Sequence, residues 1–116
     1  MDLYRSGNTM NARMDHVRPQ DIVIYQVNGL DWVRANPGDG VSTDETSKPR
    51  GKWWHLPKGT PFPGLLLVRN DYTGHWVWEP IRDMPLSDYK AALAALHPYF
   101  QPLFSAKSSV QLGGIP

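Results

Sequence analysis

The sequence predicts a single α+β domain of mostly antiparallel, twisted sheets with a few short helices. Short runs of β-branched and aromatic residues recur along the chain, each closed by Gly, Pro, Asn or Asp. Only one stretch, late in the chain, repeats its apolar residues at helical spacing. The length of 116 residues suits one small core and not two. Eleven prolines and ten glycines mark a loop-rich chain, and five tryptophans supply the apolar bulk that a disordered segment lacks.

The elements follow in order. Leu3-Tyr4-Arg5 opens a strand, and Ser6 to Gln20 has no sustained period, so it reads as loop or irregular helix. Asp21 to Val27 is β-branched and aromatic, Asn28-Gly29 is the turn pair of a tight hairpin, and Leu30-Asp31-Trp32-Val33 is its return strand. Asn36-Pro37-Gly38-Asp39-Gly40 is a turn cluster, and Ser42 through Lys52 is polar without period, which predicts a surface loop or lid. Lys52-Trp53-Trp54-His55-Leu56 is a short strand, ended by a proline-rich turn from Pro57 to Gly64.

Leu65 to Arg69 begins a core strand. Asn70 to Gly74 forms a longer hairpin loop, and His75-Trp76-Val77-Trp78-Glu79 returns beside it, closed by Pro80. From Ser87 to Leu96 the pattern is helical: Ser87 is placed to cap, Leu86 to staple the entry, and Tyr89, Ala92, Leu93 and Leu96 share one face. Pro98 stops the helix. The domain therefore spans residues 1–104, and the Ser- and Gly-rich segment 105–116 reads as a flexible tail.

Composition excludes several classes of function. Net charge is +1 with Lys and Arg dispersed along the chain, so there is no footprint for nucleic acid or an anionic membrane. Without cysteine there is neither a disulfide framework nor a thiolate ligand, and the four histidines stand apart, so no metal site is expected. The N-terminus has no signal-peptide pattern and no segment is apolar enough to span a membrane. A cytoplasmic location, or export by a route without a signal peptide, is expected.

The residues able to carry chemistry are few. Alternation along the strand from His75 to Glu79 puts His75, Val77 and Glu79 on one face, with Trp76 and Trp78 on the other, facing the core. At the strand end, Glu79 suits either a solvated rim ion pair or a cleft wall. His75 and Glu79 stand about 13 Å apart, too far for a direct acid–base pair. Arg5, among apolar neighbours, is either a surface arginine or a planar fork for phosphate or carboxylate. Ser42 and Thr43, after a glycine turn, offer hydroxyls that orient another group or merely polarise a loop.

Taken in order, Leu3-Tyr4-Arg5, Gly40-Val41-Ser42-Thr43, the segment Leu56 to Leu65 and the segment His75 to Pro85 resemble the type VI secretion exported effector-two family. The resemblance covers roughly Leu3 to Phe100. It implies an ADP-ribosyltransferase-like fold and an NAD-dependent cytotoxic, antibacterial effector that acts in a target-cell cytoplasm and is neutralised by a dedicated immunity protein. The family's functional Thr-Ser pair falls near Val41-Ser42, so Ser42 matches while the first hydroxyl is replaced by Val41 or displaced to Thr43. Arg5, Ser42 and Glu79 together look like the Arg-Ser-Glu set of one broad ADP-ribosyltransferase class.

On that resemblance Arg5 anchors the NAD pyrophosphate and Glu79 stabilises charge and holds ribose hydroxyls. Ser42, with Thr43 in reserve, orients these groups, and His75 with an aromatic such as Tyr25 or Trp53 contacts the nicotinamide or adenine face. Three alternatives stay open: an NAD glycohydrolase that uses water as acceptor, a non-catalytic protein-binding module built on the tryptophans and the proline loop, and a toxin scaffold whose site has degraded.

Overall fold

A computed structural model describes residues 1–104; the tail expected at 105–116 lies outside the described residues. Among the described residues, two antiparallel sheets and one α-helix enclose a shared core, which is the α+β architecture expected from the sequence. The larger sheet contains β1 (Leu3–Gly7), β4 (Val41–Asp44), β5 (Lys52–Leu56), β6 (Leu66–Tyr72), β7 (His75–Pro80) and β9 (Gln101–Pro102), in the order β6-β7-β4-β1-β5-β9. The smaller contains β2 (Ile24–Val27), β3 (Leu30–Val33) and β8 (Met84–Pro85), in the order β2-β3-β8.

β2 and β3 form the expected hairpin, although its first strand begins at Ile24 and not at Asp21. Asn28 and Gly29 both have positive φ, 49° and 80°, as a two-residue turn matched to strand twist requires. The helix α1 (Leu86–Ala94) packs on β3 and β8, burying Tyr89, Ala92 and Leu93; Leu96, just beyond it, is buried as well. Pro85 occupies its N-cap, and Ser87, expected to cap, lies within the first turn and makes no capping bond. The fixed φ of proline sets the entry where a hydroxyl would otherwise do so. Past Leu96 the chain turns through a 3-10 helix at His97–Tyr99, with Pro98 in its first positions, and reaches β9.

Three expectations are corrected. The segment from Ser42, read as a loop, starts inside an interior strand, since β4 is flanked by β7 and β1. Its four residues alternate: Val41 and Thr43 are fully buried, while Ser42 and Asp44 are half-buried on the opposite face. A buried threonine disguised the pattern. Its hydroxyl accepts the Trp78 indole N–H at 3.0 Å, so Thr43 is a core residue with its polar atom satisfied. The second correction concerns β6, which is an edge strand with Leu67 exposed, and its hairpin is tighter than expected, turning at Thr73-Gly74 after a bulge between Asn70 and Tyr72.

The third concerns β7. Trp78 enters the core as expected and Trp76 packs against it, its indole N–H reaching Glu45 Oε2 at 2.7 Å. The other face of the strand is buried too, with Val77 at 1% and Glu79 at 3% exposure. An interior strand has neighbours on both edges, and the turn at residues 36–39 lies over this end of it, because the Gly38 N–H donates to Glu79 at 2.8 Å.

The irregular segment between β1 and β2 also carries core residues. Ala12 and Met14 are fully buried, and the Met14 N–H donates to His97 Nε2 at 3.0 Å, tying this segment to the far end of the chain.

Candidate active site

The large sheet has one weak seam. β4 pairs with β7 over four residues and β1 with β5 over five, but β1 and β4 meet only at Tyr4 and Asp44. Beyond that pair the backbones no longer bond to each other, and the Arg5 side chain bridges the gap. Its Nη1 donates to the Ser42 carbonyl on β4 at 2.7 Å, while Nε and Nη2 donate to the carbonyls of Ala12 and Arg13 at 3.0 Å each. One guanidinium thus laces two strands and the irregular segment together.

A cleft of about 320 Å³ opens at this seam. Its walls are Arg5 and Ser6 of β1, Ser42 and Asp44 of β4, Trp53 of β5, and Arg13, His16 and Arg18 of the irregular segment. Gly7 permits the close approach of that segment, since a side chain there would come within 2.2 Å of the Asn11 carbonyl. Arg13 has a left-handed backbone, φ 54°, a conformation unfavourable for any residue with a Cβ. The turn is held by the Asn11 side chain, which accepts the Arg13 N–H at 2.8 Å, and by the three donors that converge on the Arg13 carbonyl: Arg5 Nε, Arg5 Nη2 and the His16 N–H.

The cleft is cationic. Arg5 has no carboxylate within ion-pairing distance among the described residues, and its charge is met by neutral carbonyls. Burial pushes its pKa down, with Arg18 and Arg13 adding to that push against the opposing charge of Asp21. A guanidinium stays protonated under such pressure, so the strain is carried as unbalanced positive charge. Three nitrogens carry five N–H groups, and the contacts to protein leave an N–H on each terminal nitrogen. Arg18, by contrast, is paired with Asp21 at 2.9 Å, which raises its pKa.

The residues singled out from the sequence divide between this cleft and the rest of the molecule. Arg5, Ser42 and Trp53 line the cleft together; the Trp53 indole N–H is held by the Arg50 carbonyl at 2.8 Å. Thr43 faces the core. Tyr25 lies in the small sheet, where its hydroxyl donates to Asp83 at 2.6 Å and Arg34 sits 4.8 Å above its ring. His75 is stacked on Tyr72 at 4.4 Å and bonded to Asp71 at 2.6 Å; it pairs with Asp44 of the cleft wall across the β4–β7 ladder but does not itself line the cleft.

Glu79 also stands apart. It receives Arg69 Nε at 2.7 Å and the Gly38 N–H at 2.8 Å on Oε2, with Arg69 Nη2 at 3.3 Å from Oε1. The pairing of Val41 with Trp78 sets Glu79 opposite Gly40, at the start of β4, whereas Arg5 meets the strand nearer its other end. The glutamate is an ion-paired, buried group that fastens the turn before β4.

Sequence reasoning missed Ser6, Arg13, His16, Arg18 and Asp44. Three basic side chains between residues 13 and 18 were the available signal, but the dispersed charge became a cluster only when the segment folded back on β1.

Among the described residues, no helix is long and apolar enough to cross a membrane, and no group of three His, Asp or Glu side chains is placed to hold a metal ion. No curated protein and no solved structure matches the chain. A family model described as Tse2 ADP-ribosyltransferase toxin matches residues 3–98, a span that includes every residue of the cleft and both sheets except β9. A cationic cleft at a broken strand seam, carried on a small antiparallel α+β scaffold, is the setting in which that match falls, and the chain belongs to the Tse2 ADP-ribosyltransferase toxin family.

Proposed function

We propose that the cleft takes NAD as substrate and that the protein transfers its ADP-ribose to an acceptor, acting as a cytotoxic effector in a recipient cytoplasm. The observation that carries this reading is Arg5. A half-buried guanidinium with no carboxylate partner among the described residues, flanked by Arg13, favours an anionic ligand, and a planar fork suits two neighbouring phosphate oxygens. The donor set fits a pyrophosphate: N–H groups on both terminal nitrogens of Arg5, the Arg13 side chain, and the hydroxyls of Ser6 and Ser42. Trp53 offers an indole for a nicotinamide or adenine ring.

NAD brings its own leaving group, a pyridinium that departs as neutral nicotinamide. What this chain contributes is orientation and charge. Arg5 holds the phosphates, Ser42 orients the ribose end beside it, and the rigid β-strands keep both in place. In this reading Glu79 acts at a distance, by fixing the turn that leads into β4. The acceptor is a macromolecule or water, and an immunity protein that covers the cleft protects the producing cell.

Incubating the pure domain with NAD and following free nicotinamide, with and without cell extract, tests the reading. Nicotinamide release that needs extract identifies a macromolecular acceptor; release in buffer alone identifies a glycohydrolase. Absence of both nicotinamide release and calorimetric NAD binding would remove NAD from the site.

A further inference from the structure

We propose that Asp44 is the catalytic carboxylate of this cleft. The inference rests on the reading that NAD binds there, and it assigns a group that the Arg-Ser-Glu resemblance places at Glu79.

Asp44 is the acid among the residues that line the cleft, where it stands with Arg5, Arg13 and Arg18. It lies two residues beyond Ser42 on β4, so the two side chains share a face about 7 Å apart along the strand. Its backbone is held on both sides, paired with His75 of β7 and with Tyr4 of β1, the one pair that closes the seam. Aspartate is depleted in strands because its short polar side chain competes for backbone bonds, so an interior strand position is an unusual setting for it. Among the described residues its carboxylate has neither an ion-pair partner nor a hydrogen-bond donor. It is a rigidly mounted, half-buried and unengaged acid in a cationic cleft.

Glu79 has the opposite properties. Both its oxygens are engaged by Arg69 and Gly38, its side chain is 4% exposed, and it sits at the other end of β4. Reaching a ligand beside Ser42 would require breaking its bonds to the half-exposed Arg69 and to the Gly38 N–H, and with them the hold on the turn before β4.

The reaction asks for a carboxylate where Asp44 stands. The bond that breaks joins the nicotinamide nitrogen to the anomeric carbon of ribose. Its electron pair leaves on the ring nitrogen, cancelling the pyridinium charge, and the electron deficit develops on the ribose. A carboxylate facing that deficit lowers the barrier. The acceptor oxygen then bonds the anomeric carbon and releases its proton, which Asp44 or solvent takes up.

Asp44→Asn and Glu79→Gln, each compared with the unaltered protein, test the assignment. Nicotinamide release is measured with NAD, and binding by calorimetry with ADP-ribose, so that affinity is read without turnover. The expected result for Asp44→Asn is a loss of about 100-fold or more in release with ADP-ribose affinity unchanged or tighter, because an anion has been removed beside an anionic ligand. Glu79→Gln is expected to stay within about fivefold in both. Asp44→Glu, which keeps the charge but moves it by one methylene, is expected to recover part of the lost rate and guards against a folding defect in the asparagine variant. Release by Asp44→Asn within about threefold of the unaltered protein, at normal affinity, overturns the assignment while leaving the NAD site intact. Absence of both release and ADP-ribose binding in the unaltered protein instead overturns the NAD reading, and this assignment with it.

Discussion

The two edges of β4 are built differently. Along β7 the strand is paired through all four of its residues, and the buried side chains on that side interlock: the Tyr89 hydroxyl donates to the Trp78 carbonyl at 2.6 Å and accepts the Val41 N–H at 3.1 Å. Along β1 the strand makes a single pair, and an arginine takes the place of the missing backbone bonds. The complete edge buries its polar groups against each other and is inert. The incomplete edge leaves carbonyls to be satisfied by a side chain that carries a charge, and that charge lines an open cleft. A sheet that stops pairing partway exposes a cleft without needing a long loop to form one.

The largest effect is expected at the incomplete edge. Arg5→Lys keeps the cation but has three donors on a single nitrogen, so it cannot span Ala12, Arg13 and Ser42 while also gripping a ligand. NAD affinity is expected to fall by about 100-fold, as befits the loss of one or two charge-assisted hydrogen bonds of about 1.5–3 kcal/mol each. Calorimetric titration alongside circular dichroism measures this; unchanged affinity would mean that the seam binds no phosphate.

Next come two neighbours on one strand. Thr43→Val leaves the buried Trp78 indole N–H without its acceptor and is expected to cost about 1–3 kcal/mol of stability in urea unfolding, with ligand affinity untouched. Ser42→Ala should do the reverse, lowering nicotinamide release while the unfolding midpoint stays put. If both substitutions moved the same quantity, the two faces of β4 would not be as separate as the geometry makes them.

Arg13→Gly separates strain from function within the cleft. Glycine accepts the left-handed backbone that arginine occupies here, so stability is expected to hold or rise by about 1 kcal/mol while ADP-ribose affinity falls. A loss of stability would show that the Arg13 side chain, and not its carbonyl, holds the segment.

The smallest effect is a pH dependence at the tie between the irregular segment and the end of the fold. His97 accepts the Met14 N–H on Nε2, which requires a neutral ring, and burial lowers its pKa below the ordinary 6.5, with Asp15 opposing and Arg5 assisting. The unfolded chain therefore takes up a proton that the folded one resists. Stability is complete above pH 6.5 and declines as the pH falls below that value. Unfolding measured across that range checks the sign, and His97→Gln, which keeps an acceptor for Met14 but does not titrate, should flatten the slope.

Much of the scaffold was legible in the sequence. The Asn28-Gly29 hairpin, the Lys52 to Leu56 strand and the face formed by Tyr89, Ala92, Leu93 and Leu96 all announce themselves through period or turn chemistry. β4 did not, because Val-Ser-Thr-Asp looks polar unless one knows that Trp78 brings a donor to Thr43. The lining of the cleft was half legible. Arg5 and Ser42 could be named because they stand beside recognisable strands. Arg13, His16 and Arg18 could not, since their position depends on Arg5 binding the carbonyls of the segment that carries them. Asp44 was hidden by the same misreading that hid β4.

All eight residues lining the cleft lie between positions 5 and 53, whereas the strand that locks β4 in place runs from His75 to Pro80 and the hydroxyl that pins both belongs to Tyr89. During synthesis, then, every residue of the cleft is polymerised before the strand and the hydroxyl that lock β4 in place. A nascent chain therefore holds the cleft only as loose pieces until its last third has been made.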